Sequence, residues 1–468
     1  MVDDRLALLA HLLRRAGFGA TRAELEAYDG MDYADVVEIL LHPEQTPDVE
    51  EDVVNRYYSM ASVMDDSPVL WQGRWLYRMI NTKRPLQEKM ALFWHGVFAT
   101  GWHKSEHTPS VALQIETFRG NCLSDMESIL LDLSRDPCML DWLDNTQNHK
   151  DTPNENYGRE ILELFSMGVG NYSEQDIKNA ARAFTGWTAT QPIPLYPNGC
   201  NPSSFVFRAD DHDDGAKTFL GETGNFNGDD IVRIIVKQPA TARFISRHLY
   251  NFFVADEPQV PAWSKVPPQD PPCIEALEQA YFDSGGNLRA MLRVLFNSES
   301  FKAARFRKVK SPVELVVSAV KLAGSHSFPE PGLLNLAVAT SAMGQALMNP
   351  PTVEGWHTGK EWIDGGTLNE RVNFAVNELN DVNRPGVQRV VERLGAMGGT
   401  LSPEACVDGC LDLIGPLSVA EPTRQALINA TAAGGDVALD TDDARQANAG
   451  RVARLLQLIV ATREFQFA

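Results

Sequence analysis

The sequence predicts a mostly α protein: a compact multi-helix single domain with a small β-hairpin insertion. Three observations predict it. Segment after segment places apolar residues at three- and four-residue spacing, the period of an amphipathic helix. One interval, about 188–228, breaks that pattern with clustered proline and glycine and then alternates. No fixed-period repeat divides the 468 residues, and the turns between helical segments are short. The reading is a main helical domain over 1–385, hairpin included, and a C-terminal helical part over 386–468 packed on the same core.

The first element is an amphipathic helix that lines up Leu6, Leu9, Ala10 and Leu13. TRAELEAY follows, with Thr21 as N-cap and Glu24 completing a capping box. DYADVVEILLH, VLWQGRWLYRMI, LQEKMALFWHGVF, SVALQIETF and LSDMESILLDLS repeat the helical period. SEQDIKNAARAFTGW opens on Ser173 and closes on Trp187. Pro192, Pro194, Pro197, Gly199 and Pro202 then mark an irregular loop. Phe205 and Phe207 alternate with polar neighbours, and a turn at Asp213-Asp214-Gly215 leads to Lys217 and Phe219, the predicted hairpin. Helices resume at DDIVRIIVKQ and continue to RVARLLQLIVATREF, which is expected to bury Leu455, Leu456, Ile459 and Val460.

Composition excludes some functions. A net charge of −20 with no basic run argues against nucleic acid and against an anionic membrane surface. No stretch approaches the roughly 18 apolar residues of a membrane span. The acidic start, with its basic pair after the apolar run, is the reverse of a secretory signal, so the expected location is cytoplasmic, or outside the cell with a partner. The six cysteines form no CxxC pair and are expected as buried thiols.

The most informative stretch runs from Asn154 to Trp187. It puts Asn156, Arg159, Glu160 and Glu163 on one third of a helix, with Tyr157, Ile161, Leu164 and Phe165 opposite. Two carboxylates beside an amide and a guanidinium can shuttle protons or bind a hard cation. The same stripe also describes an ordinary amphipathic surface helix, with Arg159 and Glu163 as an i,i+4 ion pair. In the hairpin, Asp213 beside His212 can orient the imidazole as base or metal ligand, or belong to a solvated acidic turn. His95 and Glu88 share a face of an apolar helix, as a buried dyad or as a core histidine with a surface glutamate. His103, Glu106 and His107 spell HxxEH, but Gly101 and Pro109 flank them, so a loop is expected instead of a zinc helix.

Ordered motifs carry a family resemblance. HLLRRAGFG from His11, LQEKMALFWHGVF from Leu86, SRDPCMLDWLDN from Ser134 and the Asn154–Trp187 stretch come first. HDDGAKTFLG from His212, ARFISRHLYNFF from Ala242, KSPVELV from Lys310, MGQALMNPPTVEGW from Met343 and EFQ from Glu464 follow. Together they resemble the bacterial family called domain of unknown function 1800, over nearly the whole chain. The resemblance implies little about chemistry. It brings His212, Asp213 and Lys217 forward as site residues and suggests a protein partner of the alkaline phosphatase and sulfatase group.

The expected site joins Glu160, Glu163, His212 and Asp213 as acid/base groups or as holders of a divalent metal. Asn156, Arg159, Lys217 and Gln345 are expected to bind substrate, with Arg159 on an anionic group and Trp187 or Trp356 stacking on a planar face. Hydrolysis of a polar, glycan-like molecule is the leading expectation. The alternative is a non-enzymatic helical scaffold or export partner.

Overall fold

The computed structural model describes residues 4–64, 68–105, 107–190 and 203–468. Glu106, Cys200 and the proline-rich loop at Pro192–Pro202 lie outside the described residues. Among those described, 24 α-helices alternate with short turns, and the only sheets are two-stranded antiparallel ribbons. No helix is long and apolar enough to cross a membrane among the described residues.

The helix Pro85–Val97 lies at the centre because it is apolar nearly all round, burying Leu86, Met90, Leu92, Phe93, Trp94 and Val97. Its rings continue outward: Trp94 stacks on Phe98 at 4.8 Å, and Phe93 meets Phe252 at 5.2 Å. Its three fully buried polar side chains, Glu88, Lys89 and His95, each bond to residues of other elements. Glu88 accepts from Trp75 Nε1 and from the guanidiniums of Arg78 and Arg119. Lys89 donates to Glu314, which also faces Arg15 at 3.5 Å. His95 Nε2 accepts the Met348 N–H at 2.9 Å, so its proton sits on Nδ1. His95 and Glu88 therefore form no dyad, and the glutamate is buried instead of exposed.

Helices pack in pairs, some close in sequence and some far apart. Val69–Asn81 lies on Leu333–Ala342, Pro239–Phe253 on Pro271–Ser284, and Glu155–Glu163 on Glu174–Ala183. Gly158 permits the last crossing, since a Cβ there would stand 2.9 Å from Ala181 N. In the C-terminal part, Pro385–Gly398 and Asp442–Val460 pack on each other, on Pro312–Ala323 and on Gly365–Glu378. One apolar core runs from Leu9 to Phe465 without a break between the two parts.

The insertion differs from expectation in one respect. It holds two ribbons: Trp187–Ala189 pairs with Phe205–Phe207, and Lys217–Phe219 pairs with Glu222–Gly224. The acidic turn falls between the ribbons because Arg182 and Thr185 hold it against the helix Glu174–Ala183. A third ribbon, Thr400–Leu401 with Val437–Ala438, is too short to show an alternating pattern. The capping box at Thr21 forms as the spacing predicts, and Ser173 opens its helix with a second box that Asp176 completes.

Candidate functional site

An open cleft of about 740 Å³ lies where the central helix ends. Five segments meet there, one of them 308–314 with Lys308, Val309, Ser311 and Glu314. The last turn of Pro85–Val97 contributes Gly96 and Val97, and the helix Pro239–Phe253 contributes His248, Asn251 and Phe252. The loop after it contributes Gln259 and Val260. The segment 343–363 brings Gln345, Glu354, Trp356, Thr358 and Trp362.

Glycine geometry sets the last segment in place. Gly355 adopts φ +81°, and a Cβ on it would stand 2.3 Å from Gly96 O. Only glycine lets the loop touch the helix end this closely. Trp356 is thereby turned into the core edge, its ring 5.2 Å from His95 and packed with Val309 and Trp362. Gln345 is buried and fixed: its Oε1 accepts the Val313 N–H at 3.0 Å, capping the helix Pro312–Ala323.

His248 forms part of the wall. Its ring lies edge-on to Phe244 at 4.4 Å and Trp263 at 4.7 Å. Burial, helped by Arg247, pulls its pKa down to about 3, so the imidazole is neutral near pH 7. Its Nε2 is buried and has no hydrogen-bond partner among the described residues.

The carboxylates gather at one end of the cleft. Leu164 lines that end together with Gly96, His248 and Glu354. Glu160 stands one helical turn before Leu164, on the same face. Burial, then the charge of Glu163, pushes the Glu160 carboxyl up to about 7; Arg159 opposes this and Glu354 adds to it. Glu163 accepts a hydrogen bond from Tyr172 Oη at 2.6 Å. The arrangement offers a proton-bearing carboxyl beside two further carboxylates, next to a cleft lined by amides, hydroxyls and indoles together with Lys308 and Glu314.

The other expected residues have different partners. Arg159 makes a bidentate pair with Glu174 at 3.1 and 3.0 Å, a surface tie between helices. Asn156 donates to Asp144 at 3.2 Å. Trp187 is buried between Phe184 and Phe205. His212 donates from Nδ1 to Thr185 O at 2.8 Å and packs on Phe207. Asp213 is clamped by Arg182 at 2.6 and 3.2 Å, which holds its carboxyl below the usual range. Lys217 is buried and donates to the carbonyls of Asp213 and Gly215. None of these six lines the cleft; of the expected residues, Gln345 and Trp356 line it, while Glu160 and Glu163 do not and stand behind Leu164, with Glu160 close enough to feel the charge of Glu354.

No ligand set for a metal accompanies the carboxylates. Among the described residues, no group of three or more His, Cys, Asp and Glu is disposed to hold a metal ion. His103 lies on the short helix Trp102–Ser105 and His107 caps the next one, so they share no helical face. The five described cysteines are buried free thiols.

A family model described as a protein of unknown function (DUF1800) matches residues 11–467. The chain belongs to this family. No curated protein and no solved structure matches it. Within this DUF1800 chain, Gly96, His248 and Glu354 are the cleft residues that sequence reasoning does not single out. Gly96 lies within LQEKMALFWHGVF and His248 within ARFISRHLYNFF, where a glycine in the last turn of a helix and a histidine on an apolar face are the available signals. Glu354 carries no such signal, and only the fold brings it near Glu160.

Proposed function

We propose that the protein is an acid–base hydrolase for a neutral, sugar-like molecule bound in this cleft. The observation that carries the reading is Glu160, a carboxyl poised to hold its proton near neutrality, one helical turn from the cleft-lining Leu164 and within the field of the cleft-lining Glu354. Asn251, Gln259, Gln345, Ser311 and Thr358 supply neutral hydrogen-bonding groups, and Trp356 and Trp362 supply flat apolar faces. That mixture suits a ring bearing hydroxyls. In the proposed step the Glu160 proton passes to the leaving oxygen as its bond to carbon breaks. Water forms the new carbon–oxygen bond, and its proton goes to Glu354.

The scaffold alternative, docking to a phosphatase- or sulfatase-like protein, finds less support. The exposed large apolar side chains include Tyr57, Phe282 and Met397, which stand on three separate helices.

The test uses saturation-transfer NMR with cellobiose, chitobiose and maltotriose, then reducing-end release. A signal with wild type that Gly96→Leu removes, and release slowed at least about 100-fold in Glu160→Gln, is the expected result. Probes that bind equally to Gly96→Leu, or none that bind, overturn the cleft as the site. Equal release by Glu160→Gln overturns the proton donor.

A further inference from the structure

A second pocket, open to solvent, has Lys310 in its wall. Three distant parts of the chain build it. The first helix contributes Arg14 and its following turn Phe18 to Thr21; the region 306–322 contributes Phe306, Lys310, Ser318 and Lys321. Leu417, Phe465 and Phe467 close it. The chain end zips onto the wall, with Lys310 N–H donating to Gln466 O at 2.9 Å.

The charge in this cavity is one-sided. Lys310 is 5% exposed, and its ammonium donates to Phe465 O at 2.9 Å and rests 4.0 Å from that residue's ring. Arg14 donates to Gly415 O and lies over the Phe306 ring, while its Nε is buried with no partner. Behind them Arg371 is fully buried, bonded to Gln466 Oε1 and Lys310 O, with Nη1 unpartnered. Among the described residues, none of these three cations has an ion pair with a carboxylate. The charge of Glu314 reaches Lys310 and Arg371 from a distance, but that carboxylate is already paired with Lys89 and Arg15. Lys321 pairs only with Glu24, out at the surface.

Buried charges in proteins are normally paired, because an unpaired one costs several kcal/mol of solvation. Ring faces and carbonyls offset part of that cost. Burial and the neighbouring Arg14 pull Lys310 down to about 7, and burial with Arg15 and Arg305 pulls Arg14 to about 9. Both shifts have the sign of missing negative charge. In a chain of net charge −20, a cavity with cations and no carboxylate lining it is an exception that calls for an anion. The remaining lining is aromatic and aliphatic: Phe18, Phe306, Leu417, Phe465 and Phe467.

We propose that this cavity binds a small organic anion with an apolar body, its carboxylate between Arg14 and Lys310 and its hydrocarbon against Phe306, Leu417 and Phe465. The site is independent of the cleft and of Glu160. A free fatty acid of medium chain length has the required chemistry. The pocket wall presents unpaired cations on one part and apolar side chains on another, so neither a bare inorganic anion nor a neutral amphiphile satisfies both.

The test is calorimetric titration of the full chain at fixed ionic strength with octanoate, octanamide and inorganic phosphate. Octanoate should bind one to one, at least tenfold tighter than either of the others, and Lys310→Met and Arg14→Met should each weaken it at least tenfold. Lys310→Met carries a second signature: without ligand it should melt at or above the wild-type temperature, because an uncompensated buried charge is gone. No saturable octanoate binding to wild type overturns the proposal, as does octanamide or phosphate binding as tightly. A lower melting temperature for Lys310→Met, with octanoate affinity unchanged, assigns the lysine a purely structural role and also overturns it. The octanoate–octanamide comparison uses wild type alone, so it decides the matter even where a variant fails to fold.

Discussion

Glu160 and Glu314 are two glutamates pushed in opposite directions by their surroundings, and pH separates them. Burial and Glu163 raise Glu160 from 4.5 to about 7. The folded chain then binds this proton more tightly than the unfolded chain does. The stabilisation is complete below about pH 4.5 and is lost as pH rises through 7. Glu160→Gln keeps a neutral side chain at every pH. It should match wild type near about pH 4 and melt higher near about pH 8. A melting difference that stays constant with pH would mean the carboxyl titrates normally. Burial alone would raise Glu314, but Lys89 and Arg15 overcome it and hold the carboxyl at about 2. Its contribution is present above about 4.5 and disappears as pH falls toward 2. Glu314→Gln leaves Lys89 and Arg15 buried without their counter-charge, and chemical denaturation should show a loss of about 3–5 kcal/mol. A loss below about 1 kcal/mol would mean water reaches the pair.

Two glycines at one helix end predict opposite outcomes for the same substitution. A Cβ on Gly96 meets nothing within 4 Å, because it points into the cleft. Gly96→Ala should gain about 0.5–1 kcal/mol from helix propensity alone. Gly355→Ala must adopt positive φ and drive a methyl into Gly96 O. It should lose at least about 1–3 kcal/mol and shift the Trp356 fluorescence. Equal effects at the two positions would contradict the close approach of loop and helix. Elements of this kind are legible in the sequence only in part. The helix Glu155–Glu163, its N-cap and its two faces follow from spacing, and so does burial of Tyr157 and Ile161. What Arg159 and Asp213 bind does not follow, since their partners Glu174 and Arg182 come from a neighbouring helix whose crossing only Gly158 permits. A stripe of polar residues states which face is wet; it does not state what lies across from it.

At the scale of the whole molecule, the helical class is readable because periodicity is a local property. The cleft and the basic cavity are not, because each is assembled from segments hundreds of residues apart. Lys310 is visible within a motif, but that no carboxylate pairs with it is a fact about the packed chain. The unbroken core across residue 385 leads to a thermal prediction. Val387, Leu394, Val452 and Leu456 belong to the same cluster as Val313 and Val316. Scanning calorimetry should show one unfolding transition for the described core; two separated transitions would make the C-terminal part an independent unit.

The first helix has a further consequence, measured in time. His11 is bonded to Phe301 O, Arg15 faces Glu314 and Arg14 donates to Gly415 O, the last across 401 residues. A ribosome adding about 5–20 residues per second needs roughly 20–80 s to cover that span. Throughout that interval Arg14 has no Gly415 carbonyl to receive it, although the partners of His11 and Arg15 emerge earlier. The helix Asp4–Arg15 is therefore among the last elements to complete its bonds.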